Sequence, residues 1–300
     1  QPTAQVRDFQ QSFNALVENV SKVVIGKTIP IKQCVTALMV GGHILLEDNP
    51  GTGKTQLARG LANSISTGFK RVQFTPDLLP SDVVGVTFYD QKRGEFEFRE
   101  GPIFASIVLA DEINRASPKT QSALLEVMEE QKVTVDGVTH DVPQPFIVIA
   151  TQNPIEQLGT YKLPEAQMDR FLIKTSIGYP GHDVSVDILK QVDITDRAQT
   201  ISPVLSGDDV MRLRQVATEI YVDDAIREFS MIGPVGSDIN GPHLGLLRRS
   251  QAEPAAGGHA VRRAEGVLPA CAAVLRCAGR GGRPGSADCG IQVQQQQGLG

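Results

Sequence analysis

Eight residues, Asp48, Asn49, Pro50, Gly51, Thr52, Gly53, Lys54 and Thr55, follow the apolar run at 43–47 and open a stretch of helical character. A loop in that position presents unpaired backbone N–H groups and the positive end of a helix dipole, which suits a pyrophosphate. Lys54 can reach the outer phosphates, and the Thr55 hydroxyl can ligate Mg²⁺. The strict phosphate-loop pattern begins with Gly where this chain has Asp48, so the match is one residue short. A plain structural turn at a helix start is the competing reading.

The run "SIVLADE" ends in Asp111 and Glu112. At the C-terminal end of a neighbouring strand, Asp111 can hold the metal's water shell, on the rim where open α/β sheets bind ligands. Glu112 can orient and deprotonate an attacking water. Such a pair is common by chance and gains meaning only behind a phosphate loop. "FIVIATQNP" ends in Gln152 and Asn153. A carboxamide there can position a water beside a γ-phosphate, while an isolated Asn-Pro reads as a turn opener. Arg170 stands just before the apolar run at 171–177. Alone it reads as a solvated charge or a salt-bridge partner of an acid such as Asp169, and a catalytic role would require a neighbouring subunit.

These residues need a frame. Short apolar runs at 43–47, 71–74, 106–110, 146–150 and 171–177 alternate with helical stretches such as 53–66 and 118–130. That alternation predicts an α/β fold with a parallel sheet flanked by helices, its central strands covered on both faces. Two further helices are expected upstream, over 13–24 and 31–42. Residues 85–101 and 132–142 alternate with period two around Gly94 and around Asp136-Gly137, so both read as inserted β-hairpins. They are either ordinary surface ribbons or projections that touch a partner or the centre of a ring. From about 181 the pattern turns helical, with a cap expected at Ser206. The reading divides the chain into an α/β domain over 1–180, the start of a smaller helical lid over 181–230, and an atypical tail over 231–300.

Net charge is -5, and no basic stripe suited to displacing counterions from nucleic acid is visible. No apolar run approaches the roughly 18 residues that cross a bilayer, and residues 1–10 lack a signal-peptide profile, so a cytoplasmic location without membrane insertion is expected. Cys34, Cys271, Cys277 and Cys289 show no zinc-ligand spacing and are expected as free thiols.

Taken together, "GGHILLEDNPGTGKTQLARGLA", "QFTPDLLPSDVVG", "ADEINRASPKTQSALLEVMEE" and "IATQNPIEQLGTYKLPEAQMDRF" closely resemble the MoxR family of AAA+ ATPases, in the clade with an insertion near the second core helix. The resemblance covers roughly residues 10–230, and within the family an acidic residue at position 48 is tolerated. It implies an AAA+ sheet domain with a helical lid, with ATP and Mg²⁺ as cofactors. It makes residues 48–55 similar to Walker A, Asp111 and Glu112 to Walker B, and Asn153 to sensor 1. Arg170 becomes similar to the arginine finger offered to the next subunit. The implied ATP-binding set is Ile25, Gly26, Asp48, Asn49, Pro50, Gly51, Thr52, Gly53, Lys54, Thr55 and Gln56, with Thr55 and Asp111 on the metal. The family more often has Gln where Lys27 stands. The hairpins correspond to the helix-2 insert and the pre-sensor-1 hairpin. A homo-oligomeric ring, commonly a hexamer, is implied, as are protein clients and a von Willebrand A-domain partner.

The C-terminus departs from the family pattern. Lining up its echo of the lid places Gly241 where sensor 2 carries Arg, and residues 241–300 hold seven Arg, no Lys and three acids. A shifted reading frame after about residue 230 would account for that bias, and the span is expected to be poorly ordered. Three function classes follow. The leading one is a Mg²⁺-dependent ring ATPase that remodels or matures protein clients. The second is a nucleotide-binding scaffold with little hydrolysis, because the lid is defective. The third, a DNA-acting motor, loses ground on charge.

Overall fold

The computed structural model describes residues 4–48, 51–153, 160–179 and 197–219. Two helices come first, α1 (Ala4–Ser21) and α2 (Thr28–Val40), then β1 (Ile44–Glu47) and α3 (Lys54–Ser64). β2 (Phe69–Gln73), α4 (Pro80–Val84), a ribbon of β3 (Gly85–Asp90) and β4 (Glu95–Glu100), and β5 (Ile107–Asp111) follow. Beyond a 3-10 turn at Ile113–Arg115 come α5 (Pro118–Glu130), a second ribbon of β6 (Lys132–Val135) and β7 (Val138–Asp141), and β8 (Ile147–Gln152). α6 (Glu165–Met168), β9 (Ile173–Thr175), a 3-10 turn at Arg197–Thr200 and α7 (Gly207–Glu219) complete the described elements.

Five strands form one sheet in the order β2-β5-β8-β1-β9, and every neighbouring pair is parallel. Alternate residues along a strand point to opposite faces, and the core splits accordingly. Ile44, Leu46, Leu109, Ile147 and Ile149 pack under α1, α2, α3 and α7, whereas Leu45, Val108, Ala110, Val148 and Ala150 pack under α5. Apolar side chains on both faces explain why these strands read as unbroken hydrophobic runs.

Both hairpins form where the period-two pattern placed them, and they touch: the Phe98 ring stacks on His140 with centroids 4.0 Å apart. Asp136 and Gly137 both have positive φ, at 51° and 79°, as a type I′ turn requires. β9 is shorter than its apolar run, because Ser176, Ile177 and Gly178 turn their donors to Asp48 rather than to a strand.

α7 is capped as expected, Ser206 Oγ accepting from Asp209 N at 3.1 Å while Asp209 accepts from Ser206 N at 2.9 Å. It buries Val210, Leu213 and Ala217 in the core shared with α1 and α2. Arg214 Nε reaches back 2.8 Å to Leu38 O near the end of α2. The helical expectation over 183–194, the rest of the lid, Gly241 and the tail all lie outside the described residues, as do Cys271, Cys277 and Cys289. Cys34 is a buried free thiol. No helix among the described residues is long and apolar enough to cross a membrane.

Candidate functional site

In a parallel sheet all strands end on one edge, and here that edge gathers the chemistry. Register sets Gln73 beside Asp111 and Glu47 beside Gln152, with Asp48 and Asn153 one residue further on. The chain leaves β1 through the loop and enters α3 at Lys54. Gly51 and Gly53 hold φ of 83° and 89°, a region that L side chains disfavour, so glycine is required for the turn. The N-cap residue Gly53 has no side chain to cap α3, and the first N–H groups of that helix with the positive end of its dipole suit an anion. Asn49 and Pro50 lie outside the described residues.

Lys54 Nζ lies 3.8 Å from Asp111 Oδ1, with both side chains nearly buried. The same Oδ1 accepts from Thr151 Oγ1 at 2.6 Å, and Oδ2 accepts from Arg71 at 2.6 Å. Burial pushes the Asp111 carboxyl up, but the Thr151 hydroxyl, Arg71 and Lys54 together outweigh it and hold the group below the usual Asp value. The result is a carboxylate on the rim, held by side chains that can exchange partners.

Glu112 follows in the left-handed region, φ 56° and ψ 49°, an uncommon conformation for a residue with a side chain. Its N–H donates to Thr151 Oγ1 at 2.8 Å, so one hydroxyl bridges both acidic residues. Its carboxylate accepts from Gln73 Nε2 at 2.8 Å and from Arg115 at 3.0 Å. Asn153 is buried, and its carbonyl accepts from Asn114 Nδ2 at 3.4 Å. Gln152 instead bonds Glu47, which also pairs with Lys174 at 2.8 Å. Thr55 sits half-buried in the first turn of α3.

Arg71, Gln73 and Thr151 are absent from the sequence-based site. The first two share a face of β2 by i, i+2 spacing, a signal that alternation could have supplied. Thr151, the one hydroxyl in an apolar strand, offered a weaker one.

Three residues of the expected site, Asp48 and Gln56 of the nucleotide set and the expected finger Arg170, point elsewhere. Both carboxylate oxygens of Asp48 are occupied by Ser176, Ile177 and Gly178, so any contribution to a nucleotide comes from its place in the chain and not from its carboxylate. Gln56 Oε1 accepts from Ala198 N at 3.3 Å, toward the segment before α7. Arg170 pairs with Glu129 of α5, half-exposed, at the opposite edge of the sheet from the loop. Ile25 and Gly26 form the turn between α1 and α2, Gly26 at φ 74°.

Among the described residues no group of three or more His, Cys, Asp or Glu could hold a metal ion. A carboxylate beside a phosphate loop with a hydroxyl in its first turn nonetheless fits Mg²⁺, which takes one or two protein oxygens and draws the rest from phosphates and water.

The model of the ATPase family associated with various cellular activities (AAA) matches residues 43–173. YeaC, an uncharacterized protein of Bacillus subtilis, is 50% identical over 226 residues, which is 75% of this chain and 71% of YeaC. Chaperone MoxR1 of Mycobacterium tuberculosis is 42% identical over 210 residues, covering 70% of this chain and 55% of MoxR1. A crystal structure from Cytophaga hutchinsonii, described as a "putative ATPase", superposes with a TM-score of 0.68 at 38% identity, over 75% of this chain and 68% of that one.

Proposed function

The chain belongs to the MoxR family of AAA+ ATPases, and from that premise we propose that it hydrolyses ATP in a Mg²⁺-dependent reaction at a site completed by a neighbouring subunit. The observation that carries this reading is the approach of Lys54 to Asp111 at 3.8 Å, with Glu112 tied to the same Thr151 hydroxyl. The α3 N–H groups and Lys54 hold the phosphates. Thr55 and Asp111 would hold Mg²⁺, which when bound supplies positive charge against the phosphate oxygens. Asn153 orients a water toward the γ-phosphorus, and Glu112 accepts the water's proton as its oxygen attacks. The bond to the ADP oxygen breaks, and phosphate leaves.

Arg170 precedes Ile173, which pairs with Ile44 at the start of β1, whereas the loop lies past the end of β1. A strand of four residues separates these edges by roughly 13 Å, which supports the reading that Arg170 serves another chain's nucleotide. Its partner Glu129 is half-exposed. Exchanging such a surface pair for a phosphate costs little, since it is worth about 0–1 kcal/mol. Assembly as a ring, a hexamer by resemblance, follows from a finger in one subunit and a loop in the next. MoxR1 is named a chaperone, and the corresponding work here is remodelling or maturation of protein clients, with a von Willebrand A-domain protein as partner. A cytoplasmic location fits that role.

Mg²⁺-ATPase rate against protein concentration, with solution mass measured with and without nucleotide, tests the reading. Specific activity rising with assembly is the expected result. Tight ATP binding with negligible turnover at every concentration would make the protein a nucleotide-dependent scaffold instead.

A further inference from the structure

Asp48 and Lys27 fasten the two ends of one short strap. Asp48 is 4% exposed. Its Oδ1 accepts from Ser176 Oγ at 2.8 Å and from Gly178 N at 2.9 Å, and its Oδ2 accepts from Ile177 N at 2.7 Å. Its own N–H donates to Gln152 O at 3.3 Å. One residue at the mouth of the phosphate loop thus joins the C-terminal ends of β8, β1 and β9. Gly178 has φ +65°, and with that left-handed backbone the N–H groups of residues 177 and 178 converge on a single carboxylate. Glycine at position 48, as the strict loop pattern has it, would leave both N–H groups without this acceptor.

The strap continues one residue further. Tyr179 O accepts from Lys27 Nζ at 2.6 Å. Lys27 directly follows the Ile25–Gly26 turn, and its carbonyl starts α2 by accepting from Ile31 N at 3.1 Å. The 176–179 segment therefore runs from the phosphate loop to that turn, secured at one end by a buried carboxylate and at the other by an ammonium group.

We propose that Asp48 and Lys27 are positioning residues for the nucleoside half of ATP, locking the phosphate loop, the 176–179 strap and the Ile25–Gly26 turn into one rigid cradle without touching the nucleotide themselves. This rests on the ATPase reading, in which the Ile25–Gly26 turn lies beside the base. A preorganised cradle lowers the ordering cost of binding, so loosening it weakens the nucleoside contacts while leaving the phosphate contacts at Lys54 in place.

The test compares ATP with inorganic tripolyphosphate, which carries the phosphates and no nucleoside, on the full chain by titration calorimetry. Asp48→Gly and Asp48→Asn are expected to weaken ATP roughly tenfold, the scale of a lost charge-assisted hydrogen bond. Tripolyphosphate is expected to bind as it does to the unmodified protein, and KM for ATP to rise more than kcat falls. Lys27→Met, a substitution at a half-buried position that carries the test alone should the Asp48 variants not fold, is expected to act in the same direction and less strongly. Combined with Asp48→Asn it should add less than its separate effect, because both secure the same strap. Parallel weakening of ATP and tripolyphosphate, or no change in ATP affinity, would overturn the proposal. An unmodified protein that bound neither ligand would instead sink the ATPase reading itself.

Discussion

The two edges of the five-stranded sheet are built from different chemistry. At the C-terminal edge Asp111 is held by Lys54, Arg71 and Thr151, all side chains that can trade partners. At the N-terminal edge His43 is buried, Nε2 bonding Met128 O at 3.0 Å and Nδ1 accepting from Val148 N at 2.9 Å, so this group is committed to backbone. The same edge carries Arg170, paired with a half-exposed Glu129. One edge gathers side-chain partners around a carboxylate, and the other commits His43 to backbone while Arg170 stays in a surface pair. On the proposed reading, the difference teaches that the loop and the finger of one catalytic site lie at opposite edges of the sheet and would meet only between molecules.

Removing the cation of that surface pair should have the largest effect. Arg170→Ala is expected to lower turnover of the assembled protein by about 10³–10⁵. Steady-state rates at saturating ATP would show it, and a rate near that of the unmodified protein would break the division between edges. At the C-terminal edge, Glu112→Gln should lower turnover by about 10²–10⁴ while ATP still binds. Parallel loss of binding in a titration would mean that Glu112 holds the site together and does not act on the water.

His43 sharpens the contrast through pH. Burial lowers its pKa from 6.5 to about 4, with the Met128 carbonyl offsetting part of the shift. Between those values the unfolded chain binds a proton that the folded chain refuses, so stability falls as pH drops from 6.5 to about 4 and is fully present above. The group accounts for up to about 3 kcal/mol over that window. Denaturant midpoints at pH 7 and pH 5 should differ less in His43→Gln than in the unmodified protein, although His43→Gln is the less stable at pH 7. Smallest is Ser117→Ala, which removes the Ser117 cap on Thr120 N of α5. It should cost about 1 kcal/mol of stability in a denaturant titration, at either pH.

Much of this architecture was legible because it is local. Ser206 marked the start of α7 by capping, and Asp136-Gly137 marked a two-residue hairpin turn. The phosphate loop and the acidic strand end were legible because each needs particular residue types at fixed spacing. What stayed hidden depends on pairing across the sheet. Arg71 and Gln73 read as ordinary strand residues until β2 lay beside β5. Asp48 read as a departure from pattern because its three donors lie 128 to 130 residues away. β9 was overextended by its apolar run because the same distant carboxylate takes the backbone donors that a longer strand would have used.

The central claim is that loop and finger of one working site come from two chains. The most direct measurement mixes Lys54→Ala with Arg170→Ala protein, each inactive alone, under conditions where subunits exchange, and follows Mg²⁺-ATPase rate against mixing ratio. The account predicts that activity returns in the mixture, from junctions where an intact loop meets an intact finger, and peaks at intermediate ratios. Mixed assemblies verified by mass that stay as inactive as either parent would contradict it.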